Sequence, residues 1–205
     1  MCYIYFMDEF EKDEKIIQSY REGNVAEFNK LVKRYAGPLY NFTARLSNKN
    51  DASDIVQESF IKVWKNIGYF DPAKASFKTW IFTIAKNTTT DFLRKKKSIL
   101  FSDMSGSSDG NKGAEEEANS FAENIPDENL LPDETLAKLE DAENLNRIME
   151  KLRMEYREVL ILHYQEDMTF EEIGKVLGKP ANTVKSQHRR AILELRRWLD
   201  SSAPN

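Results

Sequence analysis

The chain has 205 residues, 40% of them hydrophobic and 31% charged, with a formal net charge of −4. That profile fits a soluble globular protein rich in exposed helix, long enough for one large domain or two small ones. A single cysteine, Cys2, excludes an intramolecular disulfide framework and a multi-cysteine metal site, and points to a reducing cytoplasm.

Residues 1–11 read as a tail. Their opening, MCYIYF, is apolar but too short for a signal-peptide core, and acidic residues follow it in place of a cleavage site. It is either a disordered tail or an upstream start with Met7 as the true first residue. Four helices are expected over residues 12–97. The first covers about 12–22, and Gly23–Asn24 breaks it. The second, about 25–46, carries Phe28, Leu31, Val32, Tyr35, Leu39 and Phe42 at three- and four-residue steps, with a bend at Gly37–Pro38. The third, about 51–67, places Val56, Phe60, Val63, Trp64 and Ile67 on one stripe, opposite a polar face of Asp54, Gln57, Glu58 and Lys62. The fourth runs from about Ser76 to Lys97. Residues 74–97 hold seven Lys/Arg against Asp91 alone.

Residues 98–134 carry ten acidic side chains and one basic, are rich in Ser, Gly and Glu, and lack periodicity. Such a stretch buries too little apolar surface to offset its ordering entropy, so it reads as a flexible acidic linker. Phe101, Phe121, Ile125 and Leu130–Leu131 are scattered apolar points within it. Set apart from this linker, the remainder of the chain is basic (29 Lys/Arg against 24 Asp/Glu), so the global charge hides local cationic surfaces. A second domain is expected over 135–200, with helices at about 135–152 and 155–164, and 201–205 form a second tail. No alternating run of strand length appears anywhere, which makes the fold all-α, two small helical domains on a linker. No apolar run approaches the length of a membrane span.

The most informative stretch is TFEEIGKVLGKPANTVKSQHRRAILELRRWL, Thr169–Leu199. Thr169 and Glu172 form a capping-box start. Gly178 closes that helix, and Pro180 suits the first position of the next. On the second helix Val184, Ala191, Ile192, Leu195 and Leu199 share an apolar face, with Asn182, Lys185, Ser186, Arg189, Arg190 and Arg197 opposite. A short helix, a tight turn and a cationic second helix make a helix-turn-helix DNA reader.

Asp51–Lys97 adds a second block of motifs: D-x-V-Q-E-x-F-x-K-x-W, a F-D-P loop, S-F-x-T-W-x-x-x-I-A-x-N and a final D-x-L-R-K-K. Together with E-E-I-G-x-x-L-G-x-P-x-x-T-V-K-S-x-x-R-R-A in the C-terminal block, the chain resembles the bacterial RNA polymerase sigma factors of the sigma-70 family, extracytoplasmic-function group. The likeness covers about residues 12–97 and 138–199. A lone helix-turn-helix is shared by many regulators, and two blocks in this order make the resemblance specific.

The resemblance implies a sigma factor, with core RNA polymerase and promoter DNA as partners, and no enzyme activity, cofactor, metal or small-molecule substrate. Residues 12–97 correspond to region 2, which binds polymerase and opens the −10 element, and 135–200 to region 4, which reads the −35 element. Asp54, Gln57, Glu58 and Lys62 are implied to dock on the clamp helices of the largest polymerase subunit, where carboxylates and amides meet Arg in charge-assisted bonds. The loop and fourth helix are implied to handle the −10 strand. Phe70 would stack an unpaired base and Asn87 read a base edge, while Lys74, Lys78, Lys86, Arg94, Lys95, Lys96 and Lys97 hold phosphates. Trp80, Ile81 and Ile84 are read as core. Asn182, Thr183, Lys185, Ser186, Gln187, Arg189 and Arg190 are implied to face the −35 duplex. The family often has Arg where this chain has Gln187. His163 and His188 read as packing residues. Many relatives are held by an anti-sigma protein, a further partner that nothing in these residues identifies.

Two other classes fit part of the sequence. A stand-alone two-domain regulator would bind duplex DNA without polymerase, and a helical adaptor would bind no DNA at all. The V-Q-E and F-D-P blocks oppose the first, and the cationic last helix opposes the second. Catalysis has no sequence support: there is no glycine-rich phosphate loop, H-E-x-x-H motif or cysteine cluster.

Overall fold

The computed structural model describes residues 12–104 and 149–201, and every regular element among them is helical. The N-terminal unit contains α1 (Asp13–Arg21), α2 (Phe28–Leu46), α3 (Lys49–Asn66) and α4 (Phe77–Met104). A 3-10 turn, Val25–Glu27, leads into α2, and another, Ile67–Tyr69, follows α3. The C-terminal unit contains α5 (Met154–Tyr164), α6 (Phe170–Leu177) and α7 (Ala181–Ser201).

Local chemistry explains the helix ends. The Asn48 side chain accepts from the Asp51 N–H at 2.9 Å, capping α3. Thr169 and Glu172 form the expected reciprocal capping box on α6, and Gly178 ends it in the left-handed conformation at φ 67°. Pro180 stands just before α7, its carbonyl accepting the Val184 N–H at 3.2 Å. The expected bend at Gly37–Pro38 does not interrupt α2, which stays helical through both residues. The fourth helix also exceeds its expected end at Lys97 and runs on to Met104, so the first residues assigned to the linker, 98–104, are helical. The linker's other residues and most of the helix expected at 135–152 lie outside the described residues, as do the tails, except that 149–151 and Ser201 are helical.

In the N-terminal unit, α2, α3 and α4 pack on one another and α1 lies on α2. Phe42 and Phe82 meet edge to face, as do Tyr35 and Phe77. Asp13 on α1 takes a hydrogen bond from Tyr35 Oη at 2.5 Å and pairs with Arg34, tying α1 to α2. Burial and the Asp13 carboxylate push the Tyr35 hydroxyl well above the usual phenol range. Buried Ser59, Thr88 and Thr89 turn their hydroxyls onto the carbonyls four residues back, at 2.7, 2.8 and 2.8 Å, so no hydroxyl among the three is left unpaired in the core. In the C-terminal unit α7 packs on both α5 and α6.

The two units are not separate in space. α6 packs on α4 and α5 on α2, and one buried apolar cluster runs from Ile16 and Phe82 through Leu162 to Ile173 and Leu195.

Candidate functional site

Three surfaces carry the residues that the sequence singled out. The first is a face of α3. The expected apolar stripe is rotated in the structure: Ala52, Ile55, Ser59 and Val63 are buried, Val56 and Phe60 half-buried, and Trp64 is 52% exposed. Trp64 therefore leaves the core and joins Asp54, Gln57, Glu58 and Ile61 on the exposed side. Their spacing of three and four residues makes one continuous stripe with two large apolar side chains among acidic and amide groups. Ile61 belongs to no motif in the sequence, and apolar periodicity places Trp64 on the opposite face.

Lys62 sits at the edge of that stripe and bridges it to α4. Its Nζ pairs with Glu58 at 2.9 Å and donates to Thr88 Oγ1 on α4 at 3.1 Å. Thr88 belongs to the second surface, a cleft of about 400 Å³ lined by Lys62, Asn66, Tyr69, Trp80, Ile84, Asn87 and Thr88. That volume falls in the usual range for a small-molecule site, roughly 300–1,000 Å³. The structure thus brings Asn87 and Lys62 together, although they were assigned to different partners.

Phe70 is not at this cleft. It is 5% exposed, packed against Phe77 at 5.5 Å and Trp80 at 5.4 Å between ring centroids. The reading of Phe70 as an open stacking surface is corrected accordingly, because the loop folds its ring into the core. Its neighbour Tyr69 is 87% exposed and lines the cleft. Arg21, from α1, holds this loop: one guanidinium nitrogen donates to the carbonyls of Ile67, Gly68 and Phe70 at 2.9, 3.2 and 2.6 Å. Sequence reasoning had no means to find that clamp, since Arg21 is remote in the chain and matches no motif.

The basic residues of the loop and α4 are unevenly placed. Lys74 lies 3.6 Å from Asp71, Arg94 pairs with Asp91 at 3.0 Å, and Lys96 pairs with Asp51 at 2.7 Å. That last contact, with the Asn48 amide, holds the Asp51 carboxyl below its usual range. Lys95 and Lys97 are exposed. Lys78 reaches across to the C-terminal unit, donating to the Glu166 carbonyl and lying 3.3 Å from its carboxylate. Burial raises the Glu166 carboxyl, and Lys78 offsets part of that rise. Glu158, buried on α5, is likewise raised by burial, while the charges of Lys86 and Lys179 pull it back.

The third surface is the start of α7. Asn182, Thr183, Lys185, Ser186, Arg189 and Arg190 are all exposed there. The turn that presents them depends on Gly174: a Cβ on it would stand 2.6 Å from the Lys179 carbonyl oxygen. Gln187 differs from its neighbours. It is 8% exposed, and its amide donates to Glu155 on α5 at 2.8 Å, so its assignment to the DNA-facing set is corrected. Its position three after Val184 and four before Ala191 is the signal that places it on the inner stripe. His188 is half-buried in a ring cluster with His163, Tyr164 and Phe170, and burial and His163 pull it down to about 4. His163 stacks on Phe170, and its Nδ1 lies 3.1 Å from the Met168 carbonyl. Both histidines pack, as the sequence indicates.

Residues 31–99 match the family described as Sigma-70 region 2, and residues 142–202 match Sigma-70 region 4. The ECF RNA polymerase sigma factor SigW of Bacillus subtilis (strain 168) is 32% identical over 187 residues, covering 91% of this chain and 96% of that protein. The chain belongs to the ECF RNA polymerase sigma factors. The ECF RNA polymerase sigma-E factor of Escherichia coli (strain K12) is 28% identical, covering 90% of this chain and 93% of that protein. The fold agrees with solved structures of CnrH in complex with the cytosolic domain of CnrY (TM-score 0.64, 22% identical, 94% of this chain and 100% of that chain). It agrees also with the sigma factor RpoE in complex with the anti-sigma factor NepR from Bartonella quintana (TM-score 0.62, 21% identical, 86% and 99%). As a sigma factor, the protein binds core RNA polymerase and directs promoter-specific initiation of transcription. No described helix is long and apolar enough to cross a membrane.

Proposed function

We propose that this sigma factor divides its work among the three surfaces. The stripe Asp54, Gln57, Glu58, Ile61 and Trp64 docks on core polymerase. The exposed aromatic and apolar side chains supply burial, and the carboxylates and amide supply directed bonds to cationic partners. The cleft between α3 and α4 receives one unstacked base of the −10 strand, with Tyr69 at its mouth for stacking and Asn87 and Lys62 as hydrogen-bonding groups. Lys74, Lys78, Lys86, Arg94, Lys95, Lys96 and Lys97 line the approach as phosphate contacts, with Lys74, Lys78, Arg94 and Lys96 first leaving the carboxylates they now face. Asn182, Thr183, Lys185, Ser186, Arg189 and Arg190 meet the −35 duplex in the major groove.

Residues 12–97 and 135–200 are the two working domains, and the acidic segment between them is a tether. The protein acts in the cytoplasm beside the polymerase and makes or breaks no covalent bond itself. An anti-sigma protein of the kind bound to RpoE in its solved complex is a natural further partner. Support for the whole reading comes chiefly from one observation: an exposed aromatic and an exposed amide, Tyr69 and Asn87, open onto the same cleft.

Promoter opening measured with 2-aminopurine in the −10 element tests this. Tyr69→Ala and Asn87→Ala should each slow opening about tenfold while core association holds, the worth of about 1.4 kcal/mol for one stacked or hydrogen-bonded base. Wild-type opening and base preference in both variants would remove the cleft from promoter recognition.

A further inference from the structure

The turn that follows α3 is closed by another helix. A helix leaves its last carbonyls without partners of its own, and a left-handed glycine just past the end commonly satisfies them. Gly68 stands at that place, yet the left-handed glycines among the described residues are Gly23 and Gly178. The carbonyls are met from outside instead. Arg21, in the last turn of α1, brings one guanidinium nitrogen to the carbonyls of Ile67, Gly68 and Phe70 at 2.9, 3.2 and 2.6 Å. These are charge-assisted bonds at the negative end of α3. α1 is a firm base for them: Ile16 and Ile17 are buried, and Asp13 accepts from the Tyr35 hydroxyl at 2.5 Å.

The bonds bracket Tyr69. The peptide before it is held through the Gly68 carbonyl, and the peptide after it through the Phe70 N–H, which donates to the Ile67 carbonyl at 3.3 Å. Two fixed peptide planes set the direction in which the Tyr69 side chain leaves the backbone. Phe70 has extended backbone, φ −61° and ψ 127°, where neighbouring side chains point to opposite sides. The inward turn of Phe70 onto Phe77 and Trp80 therefore goes with an outward turn of Tyr69. At 87% exposed, the Tyr69 ring has little packing of its own, so its place at the cleft depends on the backbone.

We propose that Arg21 is a positioning residue for promoter opening: its guanidinium fixes the turn 67–70 so that Tyr69, and not Phe70, is presented at the mouth of the cleft. Arg21 touches no DNA and acts through Tyr69. The inference rests on the reading of that cleft as the site of an unstacked −10 base.

The test is a double-mutant cycle in the complete polymerase complex. Wild type, Arg21→Gln, Tyr69→Ala and the double variant are each combined with core polymerase, and opening is followed by 2-aminopurine in the −10 element. Arg21→Gln should open about fivefold more slowly, about 1 kcal/mol, with core affinity within about twofold of wild type. In the Tyr69→Ala background the same substitution should change the rate by less than about twofold. A cap that only stabilised the fold, or a cation that touched phosphate, would act independently of Tyr69, and its effect would add in full. Lys15→Gln removes an exposed charge from the same helix and should leave opening unchanged. Arg21→Gln at the wild-type rate, a full fivefold loss on top of Tyr69→Ala, or equal slowing in Lys15→Gln overturns the inference while leaving the cleft assignment intact. Tyr69→Ala that opens at the wild-type rate removes the cleft assignment, and this inference with it. If Arg21→Gln fails to fold by circular dichroism, Arg21→Met, which keeps the apolar stem, takes its place in the cycle.

Discussion

Lys62 on α3 donates to Thr88 Oγ1 on α4 at 3.1 Å while pairing with Glu58 at 2.9 Å. One ammonium therefore joins the edge of the stripe proposed to dock on polymerase to the floor of the cleft proposed to take the −10 base. The ammonium stays paired with Glu58 on the exposed line while its other bond reaches into α4.

Replacing Lys62 with Met keeps the apolar stem and removes that charge. Promoter opening should slow about tenfold, with core affinity within about twofold of wild type, as expected for the loss of one charged hydrogen bond of about 1.5 kcal/mol. Stopped-flow 2-aminopurine fluorescence and a core-binding titration measure the two. A matched fall in core affinity would return Lys62 to the docking surface.

Trp64 and Glu58 should behave in the opposite way. Trp64→Ala removes an exposed aromatic, and Glu58→Lys reverses a charge. Each should weaken core association by about thirtyfold, the roughly 2 kcal/mol of an interface hot spot. Both side chains are largely exposed, so the melting temperature should stay within about 2 °C of wild type. Unchanged core affinity in a pull-down and titration would take this face out of polymerase binding.

Gly174→Ala tests the turn that presents the recognition helix. Its Cβ would stand 2.6 Å from a backbone oxygen, so α6 or the start of α7 must shift. We expect about 1–3 kcal/mol of destabilisation, as for overpacking elsewhere, and loss of −35-dependent transcription. Thermal unfolding and transcription from a −35-mutant promoter separate stability from recognition. A variant as stable as wild type would show that the close approach yields freely.

Acid should loosen the C-terminal unit through His188. The folded protein keeps this ring neutral down to about 4, against 6.5 for a free histidine, in an environment made by His163, Tyr164 and Phe170. Between those values the unfolded chain binds more protons, so stability falls as pH drops from 6.5 toward about 4. His188→Met should flatten the fall in melting temperature between about pH 7 and about pH 5. An identical pH profile in that variant would acquit His188.

Much of this molecule is legible in its sequence. The helices announce themselves through apolar spacing, and the Thr169–Glu172 box and Gly178 mark α6 because caps are local chemistry. The exposed residues at the start of α7 follow from the same period. Other features escape for physical reasons. Periodicity weighs apolar residues and so runs the α3 stripe through Trp64, while the inner face passes through Ser59, whose hydroxyl is satisfied by its own helix. Phe70 and Tyr69 adjoin in a loop where no period says which ring turns inward. A lysine stem as long as that of Lys62 can carry its charge to either neighbour. The Lys78–Glu166 contact joins residues 88 positions apart, and nothing local encodes it.

The central claim is that this chain directs polymerase to promoters, and reconstitution tests it most directly. Purified protein and bacterial core RNA polymerase are combined on a library of promoters randomised over the −35 and −10 elements, and the transcripts are sequenced. Stable association, with initiation confined to templates that share both elements, is the predicted result. A protein that ignores core polymerase yet shifts duplex DNA by itself would contradict the account.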